Sequence, residues 1–214
     1  MNLTSRALIG LAIGGIVAVL FTASGSAQCR PDNDDIGSYP IYDYEEPRVG
    51  TIPDATEWAK VDDGLNLTWA SRDVHYSLHS VPKVLHQTHA TISAWRGERA
   101  NIVALIYSKR DEGTLRVQMS EWRRDGEPTG IRSSMARFVN YVITDDYKAC
   151  GDHPTSLEGW LVPDVIDLDK PRHISAMQTR PVWCTIEVPR DIEAGEYTTA
   201  LEVVNEAGDV VKSL

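Results

Sequence analysis

The chain has 214 residues, 42% hydrophobic and 24% charged, which suits one soluble domain with a leader and excludes disorder throughout. Its formal net charge of −10, without any Lys- or Arg-rich tract, argues against a nucleic-acid partner, because phosphate binding needs a basic surface that releases counterions. Six tryptophans in this length supply aromatic surface for a core or for a ligand-facing patch.

At the N-terminus Arg6 precedes the apolar run "ALIGLAIGGIVAVLF", Ala7 to Phe21, and the small-residue segment "TASGSA" follows. That is the order of a secretory signal, with cleavage expected after Ala27. At about 15 residues the run is shorter than the roughly 20 that span a bilayer, which favours a cleaved leader over a permanent anchor. Residues 1–27 are therefore read as a signal peptide, and the protein as exported to the periplasm, the cell surface or the medium. Cys29 leaves lipidation open as a second reading, although Gln28 stands where bacterial lipidation signals usually carry a small residue.

Residues 28–56 are acidic and studded with Pro and Tyr, and they show neither strand nor helix periodicity; they read as a disordered linker. From Glu57 the signals are those of strands, short runs rich in β-branched and aromatic residues bounded by Gly, Pro, Asp or Asn. The runs are "LNLTWAS", "HATISAW", "ANIVALIYS", "LRVQMSEW", "ARFVNYVIT", "PVWCTIEVP" and "EYTTALEVV". With no long helical patterns between them, residues 57–214 are expected to form an all-β domain, an antiparallel two-sheet sandwich.

Within this frame Ile102 to Tyr107 and Phe138 to Ile143 are apolar at consecutive positions, as in central strands covered on both faces. The strand from Leu115 alternates, with Leu115, Val117 and Met119 inward and Arg116, Gln118 and Ser120 outward. Near the end, Val182, Cys184, Ile186 and Val188 share one face, which sends Trp183, Thr185 and Glu187 to the other. A large aromatic at Trp183 then needs cover from a loop, a second domain or a sugar ring. The turn "RDIEAGEY" places Gly195 where a positive φ is expected, and Tyr197, Thr199, Leu201 and Val203 share a face of the returning strand.

Export would put Cys150 and Cys184 in an oxidising compartment, where a disulfide between them would contribute on the order of 3 kcal/mol. Two separately buried thiols are the other reading, and one cysteine of the three is left over whichever pair forms.

Candidate chemistry is sparse. His75, His79, His86 and His89 are the dense histidines, but Pro82 and the strand-like surroundings spoil the helix that would bring them together, so no metal site is expected. Asp145, Asp146, Asp152 and His153 fall on a loop, and adjacent residues of an extended segment point to opposite sides, so they read as turn residues rather than as a catalytic pair. No nucleophile elbow, phosphate loop or dinucleotide fingerprint occurs, and no cofactor is expected. Asn66-Leu67-Thr68 is a glycosylation acceptor only in a host that glycosylates.

The pieces "LNLTWASRDVHY", "AWRGERANIVALIYS", "RFVNYVITD", Cys150-Gly151, "VPDVID" and "RPVWCTIEVPRDIEAGEYTTALEV", in this order, resemble the N-terminal β-sandwich domain of glycoside hydrolase family 123 over about residues 57 to 214. The resemblance implies a sandwich that precedes a catalytic (β/α)8 barrel, in proteins that remove terminal β-linked N-acetylgalactosamine. The family's chemistry is substrate-assisted, with an Asp-Glu pair in the barrel that orients the substrate acetamido group and supplies the acid/base. Past Glu57 the only Asp-Glu dipeptide here is Asp111-Glu112, in the polar turn "KRDEGT" between two strands, and catalysis is not transferred to it.

The expected role is thus a non-catalytic module of an exported hydrolase-like protein, packing against a barrel that needs roughly 250 residues and is absent from this chain. The rivals are an independent carbohydrate-binding module, with Trp183, Trp160 or Trp95 as platforms for glycans containing N-acetylgalactosamine, and an autonomous glycosidase.

Overall fold

The computed structural model describes residues 46–47, 52–143 and 161–214. The chain falls into two compact units, Met1–Ile41 and Tyr42–Leu214, and only the second contains described residues. The expected signal peptide, most of the expected linker, Cys29, Cys150, Trp160 and the loop carrying Asp145, Asp146, Asp152 and His153 lie outside the described residues.

The domain opens with a single helical turn, α1 (Ala55–Trp58), capped by Asp54, whose side chain accepts from the Thr56 and Glu57 amides at 2.9 and 3.4 Å. Trp58 is buried and donates its indole N–H to the His79 carbonyl at 3.0 Å, pinning this turn to the body of the fold.

Every strand pairing that follows is antiparallel. One sheet has five strands in the order β1 (Asn66–Ala70), β2 (Arg99–Ser108), β9 (Gln178–Glu187), β6 (Ser134–Ile143), β7 (Leu161–Ile166). A second has four, in the order β11 (Val210–Ser213), β10 (Leu201–Asn205), β3 (Gly113–Met119), β8 (Arg172–Ile174). A two-stranded ribbon, β4 (Arg123–Arg124) with β5 (Glu127–Pro128), decorates the crossing from β3 to β6.

The two sheets share one core. Leu67, Trp69, Ala104, Ile106, Phe138, Val182 and Cys184 from the larger sheet meet Leu115, Val117, Ile174, Leu201 and Val203 from the smaller. The alternation expected along β3 is observed, with Leu115 and Val117 buried and Arg116 and Gln118 exposed. The consecutive apolar residues of β2 and β6 are central strands, each with a neighbour on both sides. On the outer face of the larger sheet, the coil around Tyr76 and Leu78 covers the lower half. There the Thr179 amide donates to the Leu78 carbonyl at 2.8 Å, and the Tyr141 hydroxyl bonds the Tyr76 and Thr179 carbonyls at 2.6 and 3.0 Å.

The structure corrects several local expectations. "HATISAW" is not a strand: residues 89–95 are coil and exposed, because β propensity does not make a strand where no neighbour is in place to pair with it. The β2–β3 and β9–β10 connections are not hairpins, since β2 and β3 lie in opposite sheets, as do β9 and β10, so both are arches over the core, whereas β4–β5 and β10–β11 are antiparallel hairpins. Gly195 is not among the glycines at positive φ. Its reason is space: a Cβ there would stand 3.3 Å from the Arg124 guanidinium.

Candidate functional site

The upper half of the outer face of the five-stranded sheet is built by register. Val103 and Arg137 flank Trp183 on β2 and β6, Asn101 and Met135 flank Thr185 one pair further on, and Arg99 stands opposite Glu187 beyond them. Partners across a ladder share a face, and the intervening residues Ala104, Val182, Cys184 and Phe138 are the core. On β7, Ile166 pairs with Val139 and extends the same face.

Trp183 is half-buried, and its indole Nε1 donates to Asn101 Oδ1 at 3.2 Å. Arg99 and Glu187 form an ion pair at the rim. Apolar side chains remain partly open on the same face: Met135 is 39% exposed and, on β7 beyond Arg137 and Val139, Ile166 43%. Met135 also carries the Arg137 guanidinium at 3.7 Å from its sulfur. The face is therefore mixed, with Met135, Trp183 and Ile166 partly open around Arg137 and the Arg99–Glu187 pair at the rim.

Of the other tryptophans singled out from the sequence, Trp95 is 83% exposed on the turn that enters β2. The turn is well held, with the Trp95 amide donating to Glu98 Oε2 at 2.6 Å and the Gly97 amide to the Val188 carbonyl at 2.9 Å. Beside it Arg99, Ser133, Glu187 and Arg190 line a shallow, open depression of about 360 Å³. Trp95 lies before β2 begins, whereas Trp183 faces Val103 within it, so the structure does not bring these two rings into one platform.

The carboxylate pair Asp111 and Glu112 is engaged within its own arch. Asp111 accepts from the Gly113 amide at 2.9 Å and meets His173 Nε2 at 3.0 Å, which together hold its carboxyl below the ordinary range, while Glu112 accepts from Ser108 Oγ at 2.6 Å. Among the described residues no group of three or more His, Cys, Asp or Glu is placed to hold a metal ion. His75, His86 and His89 are exposed, and partial burial holds the His79 ring below its ordinary value. Cys184 is a free thiol in the core, and burial pushes it up to about 12.

One constellation had no sequence signal. At the open end between the sheets, Arg180 of β9 and Arg172 of β8 converge on the carboxylate of Glu46, with Arg172 Nη1 at 3.2 Å and Arg180 Nη1 in close contact. Arg172 also holds Asp167 at 2.6 Å, and the Tyr141 amide donates to Glu46 Oε1 at 2.7 Å. Glu46 comes from the stretch read as a disordered linker, where nothing in the local pattern marks a residue that will be buried.

The described residues thus form an antiparallel β-domain of two packed sheets, with partly open apolar side chains on one outer face and its Asp-Glu dipeptide tied into a surface arch. The chain belongs to the glycoside hydrolase 123 N-terminal domain family, whose model matches residues 69–205, more than half of its length. Among solved structures, a family 123 glycoside hydrolase from Clostridium perfringens, studied for glycolipid glycan hydrolysis, aligns with a TM-score of 0.55 at 19% identity. The alignment covers 70% of this chain and 26% of that one, so the likeness is one of fold and the chain spans about a quarter of that enzyme. A comparison with curated proteins gave no match.

Proposed function

We propose that residues 57–214 are a non-catalytic platform that packs, through the outer face of the five-stranded sheet, against a catalytic (β/α)8 barrel of a family 123-like hydrolase. The observation that carries this reading is that Met135, Trp183 and Ile166 stay partly open around Arg137 on a sheet face whose other half is already covered by the chain's own coil. Apolar side chains grouped in this way mark surfaces that a second protein body covers. The barrel would supply the acid/base residues, and the whole protein would remove terminal β-linked N-acetylgalactosamine from glycans after export through the leader at residues 1–27, with residues 28–56 leading into the domain. Lipidation at Cys29 is the variant form of that export.

A second reading, a carbohydrate-binding module, is favoured by one observation, the openness of Trp95 on a well-held turn next to a shallow depression lined in part by Arg99, Glu187 and Arg190. The experiment that tests the first reading is turnover of an aryl β-N-acetylgalactosaminide by the purified chain, with titration of N-acetylgalactosamine-terminated glycans alongside. No turnover and no binding are expected. Turnover lost on Glu112→Gln would make the chain a glycosidase, and saturable binding lost on Trp95→Ala would make it a binding module.

A further inference from the structure

The ion network between the sheets is constructed as a receptor for a carboxylate. Arg180 shares its register position with Ile106, and Arg172 with Leu115, so both guanidiniums enter the space between the sheets, one from each. The Arg180 side chain is only 3% exposed and that of Arg172 19%. A third donor comes from the backbone: at the β6–β7 register shift between Asn140 and Tyr141, the Tyr141 amide donates to Glu46 Oε1 at 2.7 Å.

Charge explains why the receptor needs its occupant. Two guanidiniums face Asp167 and Glu46, so the cluster is neutral only while Glu46 is present. Among the described residues Asp167 is ion-paired with Arg172 and accepts from the Leu168 amide at 2.8 Å, which leaves Arg180 dependent on Glu46 for its counter-charge. An isolated buried guanidinium is far more costly than a paired one. Arg180 Nε and Arg172 Nε are already buried without a hydrogen-bond partner among the described residues, and without Glu46 the Arg180 guanidinium would keep only the Val139 carbonyl at 3.5 Å and the Tyr141 ring, neither of which carries a counter-charge.

We infer that Arg172, Arg180 and the Tyr141 amide form a carboxylate-binding cage that Glu46 fills in cis, clasping the segment before α1 to the sandwich, and that the cage takes a small free carboxylate when the Glu46 side chain is removed. The ligand class follows from the donors: two forked guanidiniums and one N–H match a planar anion with two oxygens. The inference does not depend on the platform reading, because it concerns the opposite, core-side surface of the sheets.

The test is thermal melting of the full chain and its Glu46→Ala variant in sodium formate and in sodium chloride of equal ionic strength. The variant should melt lower by on the order of 10 °C, the fall expected when one partner of a buried ion pair is removed from a domain of this size. Formate should then raise its midpoint in a saturable way, while the parent responds no more to formate than to chloride. A variant that melts with the parent, or formate raising both proteins equally, overturns the cage. Should Glu46→Ala fail to fold, Glu46→Gln keeps the shape and an acceptor oxygen without the charge: a lowered midpoint supports the cage, and parental melting overturns it.

Discussion

Trp183 reaches along the outer face to give its indole N–H to Asn101 Oδ1 at 3.2 Å, a diagonal contact between β9 and β2. The bond satisfies the polar end of a ring that is half in and half out of the domain. Trp183→Ala should therefore cost about 1–2 kcal/mol in urea unfolding, less than the roughly 3–5 kcal/mol of a fully buried tryptophan. Asn101→Ala should cost under about 1 kcal/mol, because the indole can turn to water. A loss above 3 kcal/mol for Trp183→Ala would make it a core residue and remove it from the docking face.

Gly195 is governed by its neighbour rather than by its own φ. A Cβ there would meet Arg124 Nη2 at 3.3 Å, and that guanidinium lies 5.7 Å from the centroid of the Tyr197 ring and donates to Glu193 at 2.5 Å. Because the obstacle is the end of a flexible side chain, Gly195→Ala should cost less than about 1 kcal/mol, and most of that cost should vanish in an Arg124→Ala background. The double-mutant cycle reads this directly. Strictly additive losses would show that the glycine is needed for the backbone after all.

Stability should fall in alkali. Burial pushes the Cys184 thiol up to about 12 and raises the hydroxyls of Tyr141 and Tyr107, so the fold favours the neutral form of each. Groups raised in the folded state contribute fully below their unfolded values, roughly 8.5 for Cys and 10 for Tyr, and that contribution drains away as pH rises toward the folded values. The thermal midpoint should drop between pH 8 and pH 10.5, and Cys184→Ala should flatten part of the drop. A midpoint that rises over this range would contradict the buried neutral thiol. An unchanged slope in Cys184→Ala would instead favour a disulfide with Cys150, which has no proton to lose.

The larger features of the fold were legible because they depend on local apolar pattern. The alternation of Leu115 and Val117 marks β3, the unbroken apolar runs mark β2 and β6, and the outward turn of Trp183 follows from the spacing of Val182 and Cys184. What escaped depends on partners remote in sequence. β7 carries Pro163, which weighs against a strand until it is known to lie at a sheet edge, and β8 is only three residues long. "HATISAW" has strand composition but no strand beside it, and which sheet receives each strand is set by packing across the core. Glu46 was illegible because its two arginines arrive from β8 and β9, more than a hundred residues later.

The docking face itself is tested most directly by hydroxyl-radical footprinting of this chain against the native polypeptide isolated with an antibody to it. Oxidation of Met135 and Trp183 should fall several-fold in the native polypeptide, which should also be larger than the 23.8 kDa of this chain, while the exposed Val210 and Val211 of β11 keep their reactivity. A native species no larger than this chain, or equal oxidation of Met135 and Trp183 in both, would contradict the platform.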